Sequence, residues 1–123
     1  MTSIQMQIGK KTYSGARPES LATCLEFVTL WGESEGVGLL RLCSGAIGIY
    51  LDKTALFPSY KPLKEAPDQY GRKVLEALLK DGLAPAKIYE YGSLCLKDLY
   101  EAIPLEEAVE DAANFTPSTD TGG

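Results

Sequence analysis

Hydrophobic and polar positions change period along this chain, and each change marks an element. Ile4, Met6 and Ile8 alternate with Gln5 and Gln7, the period-two pattern of a half-buried strand. Gly9-Lys10 supplies a turn and Lys11-Thr12-Tyr13 resumes β-favouring residues, so residues 3–14 read as a β-hairpin. A lone hairpin is marginal in water and must pack on something. From Pro18, which suits a first helical position, the period becomes helical. Leu21, Cys24, Leu25, Val28 and Trp31 recur at three- and four-residue spacing until Gly32 to Gly36 break the run. A second helix runs from about Gly36 to Leu51 with Arg41 as its only charge. It falls short of the roughly 20 residues that span a bilayer and reads as the buried centre of a helical domain. Gly45, Ala46 and Gly48 would let neighbouring helices approach its backbone closely.

Residues 52–67 hold three prolines and three lysines and read as a surface loop. A third helix starts at Asp68, carries Tyr70, Val74, Leu75, Leu78 and Leu79 as one stripe, and stops at Lys80 and Gly82. Pro85 opens a fourth, with Ile88, Tyr89, Leu94, Cys95 and Leu99 as its apolar set. Gly92 within it costs about 1 kcal/mol relative to alanine, which points to a close packing contact there. Pro104 opens a last short helix, and residues 114–123, polar and rich in small side chains, read as a mobile tail. The expected fold is mainly α: one domain over residues 1–113, with four to five helices and an N-terminal β-hairpin. Leu25, Val28, Leu39, Leu42, Ile47, Leu75, Leu78 and Leu99 are its expected core.

Composition sharpens this picture mainly by exclusion. The 123 residues contain no histidine, which removes the usual acid–base group near neutral pH and the Ser-His, Cys-His and mixed Cys/His zinc arrangements. Cys24, Cys43 and Cys95 lie far apart among apolar neighbours and read as buried reduced thiols of a cytoplasmic protein. Gly36-Val37-Gly38 opens a helix but follows no strand and lacks a Lys-Ser/Thr, so it reads as a helix N-terminal turn. Glu33 with Glu35, and Ser93 with Lys97, are pairs that catalysis uses elsewhere, but no companion groups accompany either. No catalytic residue, cofactor or metal is expected, and the chain reads as a non-enzyme.

Charge is divided unevenly. Residues 1–96 carry 11 basic and 10 acidic side chains, whereas residues 97–123 carry one basic and seven acidic. The overall net charge of −5 argues against nucleic-acid binding. The acidic end, with Glu106, Glu107, Glu110 and Asp111 on one face and Leu105, Ala108, Val109 and Ala112 opposite, is suited to a basic partner. Seven tyrosines are a further signal of a surface that buries on association. Tyr60, Tyr89 and Tyr91 are the ones expected to face a protein partner, with self-association and no membrane contact.

The opening Met6-Gln7-Ile8-Gly9-Lys10-Lys11-Thr12-Tyr13 resembles the I-G-G-K-x-Y hairpin that begins many small proteins of tailed bacteriophages, with Lys10 replacing the second glycine. The whole layout is similar to that of the tail assembly chaperones of long-tailed phages, acidic helical proteins with an apolar middle helix and an acidic end. The ending Ile103-Pro104-Leu105-Glu106-Glu107-Ala108-Val109, with Ala112-Ala113-Asn114-Phe115, is similar in kind to theirs. The resemblance implies a protein of the host cytoplasm that coats the hydrophobic tape-measure protein and brings tail-tube subunits to it, or an accessory virion-assembly protein. The alternative is a small acidic inhibitor of a host enzyme.

Overall fold

The structure, a computed structural model, describes residues 3–103. The expected last helix, the tail over residues 114–123, and Glu106, Glu107, Glu110 and Asp111 lie outside the described residues. Strands β1 (Ile4–Ile8) and β2 (Lys11–Gly15) form an antiparallel hairpin, in which Ile8 pairs with Lys11 across a two-residue turn. Gly9 holds φ +65 there, a conformation that glycine adopts without penalty. Met6 and Ile8 point inward and are buried, as the alternation predicts.

Four helices follow: α1 (Leu21–Trp31), α2 (Gly36–Tyr50), α3 (Pro67–Lys80) and α4 (Pro85–Ala102). The fold is mainly α with an N-terminal hairpin. The first helix begins later than Pro18, because the Ser20 hydroxyl accepts the Thr23 N–H at 3.2 Å and caps it. The third begins one residue earlier than expected, with Pro67 at its first turn.

The apolar middle helix is the centre of the molecule: every residue of α2 from Leu42 to Tyr50 is buried, chiefly against α3 and α4. Two glycines on the flanking helices allow this. A Cβ added at Gly71 would lie 2.0 Å from the Arg41 carbonyl oxygen, and one at Gly92 would lie 2.3 Å from Cys43 Cβ. Backbone therefore meets backbone on both sides of α2, and the close contact inferred at Gly92 is present. The first helix docks differently, with the Phe27 ring against the space above Gly45.

Six of the eight expected core residues are buried; Leu25 and Leu39 are not. Leu39 sits in the first turn of α2, before its neighbours cover it, and Leu25 faces away from the core. Leu79 and Leu94 are likewise exposed. On α4 the inner face is set by Gly92, Cys95, Leu96 and Leu99, which turns Leu94 outward. The 52–67 segment contains a 3-10 turn at Asp52–Thr54 and is anchored more deeply than a surface loop, since Phe57 and Tyr60 are buried.

Candidate functional site

Helix α1 carries only one charged residue, Glu26, in eleven. Thr23, Cys24, Phe27 and Val28 face the core. Leu21, 62% exposed, and Leu25, 37% exposed, stand on the opposite side with exposed Thr29, at i, i+4 and i+8. They form a ridge along the helix. The one charge does not serve solvent either: the Glu26 carboxylate accepts the Tyr60 hydroxyl proton and, at 3.1 Å, the Leu63 N–H.

A groove runs along each flank of this ridge. On one side it is mixed in character, with Leu25, Leu30, Leu63 and Pro67 beside Lys64 and Gln69. Leu63 is held at φ +67 with its side chain 84% exposed, an unusual placement for a leucine. On the other side, Val28, Trp31, Lys97, Tyr100 and Glu101 line a groove of about 650 Å³ between α1 and α4. The Trp31 and Tyr100 rings meet edge-on there, with centroids 6.4 Å apart.

A third, smaller cleft of about 260 Å³ lies at the start of α1 and includes Arg17, Glu19, Tyr50 and Lys53. Its charges are already engaged. Arg17 forms a two-pronged pair with Asp98, Nε to Oδ2 at 3.0 Å and Nη2 to Oδ1 at 2.8 Å, and Lys53 lies 3.5 Å from Glu19. The buried Tyr50 hydroxyl donates to the same Asp98 carboxylate. Hydrogen bonding from Arg17 holds the Asp98 carboxyl below its ordinary range, and the same contact raises the Arg17 guanidinium.

The tyrosines expected at a partner surface are placed otherwise. Tyr60 is buried, edge-on to Phe27 and Tyr70, with its hydroxyl between Glu26 and the Glu65 carbonyl at 2.8 Å. Tyr91 is buried and its hydroxyl accepts the Gln7 N–H at 3.1 Å, which ties the hairpin to α4. Tyr89 is half-buried and donates to the Gly36 carbonyl at 3.0 Å. Each hydroxyl found an internal partner, so the amphipathic character that suggested an interface serves the core edge. Among the described residues the exposed aromatic is Tyr100. Sequence reasoning passed over it, as it did the outward face of α1. The available signal was a helix apolar on more sides than one neighbour can cover.

Glu33 and Glu35 are exposed in the turn before α2, and Ser93 and Lys97 are exposed on α4. All three cysteines are buried, and burial raises each thiol, Cys43 to about 11. Among the described residues no group of three metal-ligating side chains occurs, and no helix is long and apolar enough to cross a membrane. Comparison with protein-family models, curated proteins and solved structures finds no match to this chain.

The buried acids give a pH expectation. Burial raises Tyr50, Tyr60 and Tyr70 above the tyrosine range, and the thiols likewise. Groups raised on folding lend stability that is complete below their unfolded values, roughly 8.5 for Cys and 10 for Tyr, and is lost as pH rises through the folded ones. With no histidine to titrate, the urea midpoint should stay level between about pH 5 and 8 and fall steadily above about 9. A midpoint unchanged to pH 11 would show that these groups are not buried in solution.

Proposed function

We propose that this chain is a non-enzymatic assembly protein that holds a protein client against the apolar ridge of α1, acting as a phage tail assembly chaperone or accessory virion-assembly protein in the host cytoplasm. The observation that supports this most is that α1, whose one charge is taken up by Tyr60 and Leu63, leaves Leu21 and Leu25 exposed on the side away from its buried face. A shield for an apolar helical client such as a tape-measure protein needs such a face, together with charge for solubility. Residues 3–103 balance 12 basic against 12 acidic side chains, so the net charge of −5 resides in residues 104–123.

The test is co-expression with tape-measure and tail-tube proteins, followed by affinity measurement for the wild-type chain and a Leu21→Asp/Leu25→Lys variant. The new pair suits the helix dipole and i,i+4 spacing, so the fold should be kept. Client affinity should fall at least tenfold. Undiminished binding would overturn the reading. The acidic-inhibitor alternative, which calls for carboxylates along an extended face rather than in the one short segment seen here, predicts the reverse pattern. Binding to a host enzyme would survive that variant and be lost when Glu106, Glu107, Glu110 and Asp111 are neutralised.

A further inference from the structure

Tyrosines and cysteines aside, the polar side chains buried among the described residues are Thr23 and Ser44. Ser44 donates to the Leu40 carbonyl, four residues back, at 2.9 Å. Thr23 stands in the first turn of α1, where the residue four back is Glu19, ahead of the Ser20 cap and outside the helix. Its N–H goes to the Ser20 hydroxyl, but its own hydroxyl has no hydrogen-bond partner among the described residues, although Thr23 is only 4% exposed. Buried polar groups are nearly always paired, so an unpaired one needs an explanation. Thr23 lines the cleft of about 260 Å³ at the start of α1. We propose that this cleft binds a small zwitterion, an α-amino acid with an aliphatic side chain, whose carboxylate accepts the Thr23 hydroxyl proton.

The lining matches both ends of such a molecule. Beside Thr23 it includes the Ser20 hydroxyl, which keeps its own proton to donate, the Lys53 ammonium and the positive end of α1, a combination that receives a carboxylate. Asp52 gives one carboxylate oxygen to the Ser59 hydroxyl at 2.6 Å and has the other for an ammonium group. Glu19 is a second acceptor, because its pair with Lys53 at 3.5 Å joins side chains 86% and 73% exposed and opens at little cost. Arg17 is balanced by Asp98, so Lys53 and the helix end stand against Glu19 and Asp52, and the cleft favours no net charge. Ile49, Pro62 and Tyr60 add apolar surface for an aliphatic side chain. The volume lies below the roughly 300–1,000 Å³ of drug-sized sites, which suits a single amino acid. No lining residue is shared with the grooves beside the α1 ridge, so this reading and the client reading fail separately.

Calorimetric titration of the full chain with L-leucine should give saturable binding with a Kd of about 1 mM or tighter. Amide chemical shifts should move most at residues 17–23 and 49–53. 4-Methylpentanoate and 3-methylbutylamine, which are leucine without its amine and without its carboxylate, should each bind roughly tenfold more weakly or worse. Thr23→Val should weaken leucine binding by roughly tenfold while leaving the ligand-free melting temperature level or slightly higher, since it removes an unpaired hydroxyl at nearly equal shape. Thr23→Ser should keep most of the affinity, and Lys53→Gln, at an exposed position, should lose about fivefold. Failure of leucine, isoleucine and valine to saturate overturns the proposal, as does equal binding by 4-methylpentanoate. Unchanged affinity in Thr23→Val overturns it too. So does a fall in that variant's ligand-free melting temperature, which would show that the hydroxyl is already satisfied in solution.

Discussion

Gly71→Ala should be among the most damaging single substitutions in this protein. The added methyl would sit 2.0 Å from the Arg41 carbonyl oxygen and 2.7 Å from its carbon. Neither atom belongs to a side chain that could swing aside, so α3 must move off α2. Gly92→Ala creates the same problem on the opposite flank, 2.6 Å from Cys43 Cα. Overpacking of a core commonly costs about 1–3 kcal/mol and more when backbone must shift, so a loss of ~4 kcal/mol is expected for each. Alanine's better helix propensity returns only about 1 kcal/mol. Melting temperature should drop by roughly 15 °C, measured by calorimetry or circular dichroism. Gly38→Ala is the control: nothing lies within 4 Å of a Cβ there, and its stability should hold or rise slightly. Equal behaviour of all three variants would mean that the helices do not touch at these points.

Asp98→Ala should rank beside them. The carboxylate receives two hydrogen bonds from Arg17 and one from the Tyr50 hydroxyl, and Tyr50 is almost wholly buried. Truncation strands that hydroxyl without an acceptor and removes a charge-assisted pair, for an expected loss of ~3 kcal/mol. Arg17 itself reaches water, so its share is discounted for screening. Adding Tyr50→Phe removes the stranded group and should restore about 1 kcal/mol. The pH dependence has a definite sign. Asp98 is lowered on folding, so its contribution is present above the unfolded value of about 3.9 and is lost as pH falls through the folded value. Wild type and Asp98→Ala should therefore differ in denaturant midpoint at pH 7, and the gap should narrow as pH falls below about 3.9. A difference that persists in acid would assign the loss to packing.

Much of this fold is legible along the chain because its elements are punctuated locally. Pro85 stands at a helix start, Gly82 stands just past a helix end, and the alternation of residues 4–8 has one solution. Even Gly92 announces a contact, since a glycine inside a helix needs a reason. Gly71 does the same work on α3 and drew no such inference, being close to the start of its helix. Which apolar residues stay outside is harder to read. Leu21, Leu25, Leu79 and Leu94 all match helical spacing, and a periodic stripe wider than its neighbour does not say which edge is left over. The tyrosines misled for a related reason. Their ring and hydroxyl suit a core edge as well as an interface, and the partners that decide the matter, Gln7 for Tyr91 and Glu26 for Tyr60, come from distant parts of the chain.

The two ways in which helices meet α2 have a mechanical consequence. At Gly71 and Gly92 main chain abuts main chain, so α2 is clamped between α3 and α4 and neither sliding nor rotation is open to it without separating them. Helix α1 instead rests through the Phe27 ring in the notch at Gly45, a contact that tolerates rolling because a ring can pivot where a backbone cannot. Compliance is thus concentrated in the same helix that presents the apolar ridge. Strain from a body pressed against that ridge would be absorbed by tilting α1 over a rigid three-helix slab.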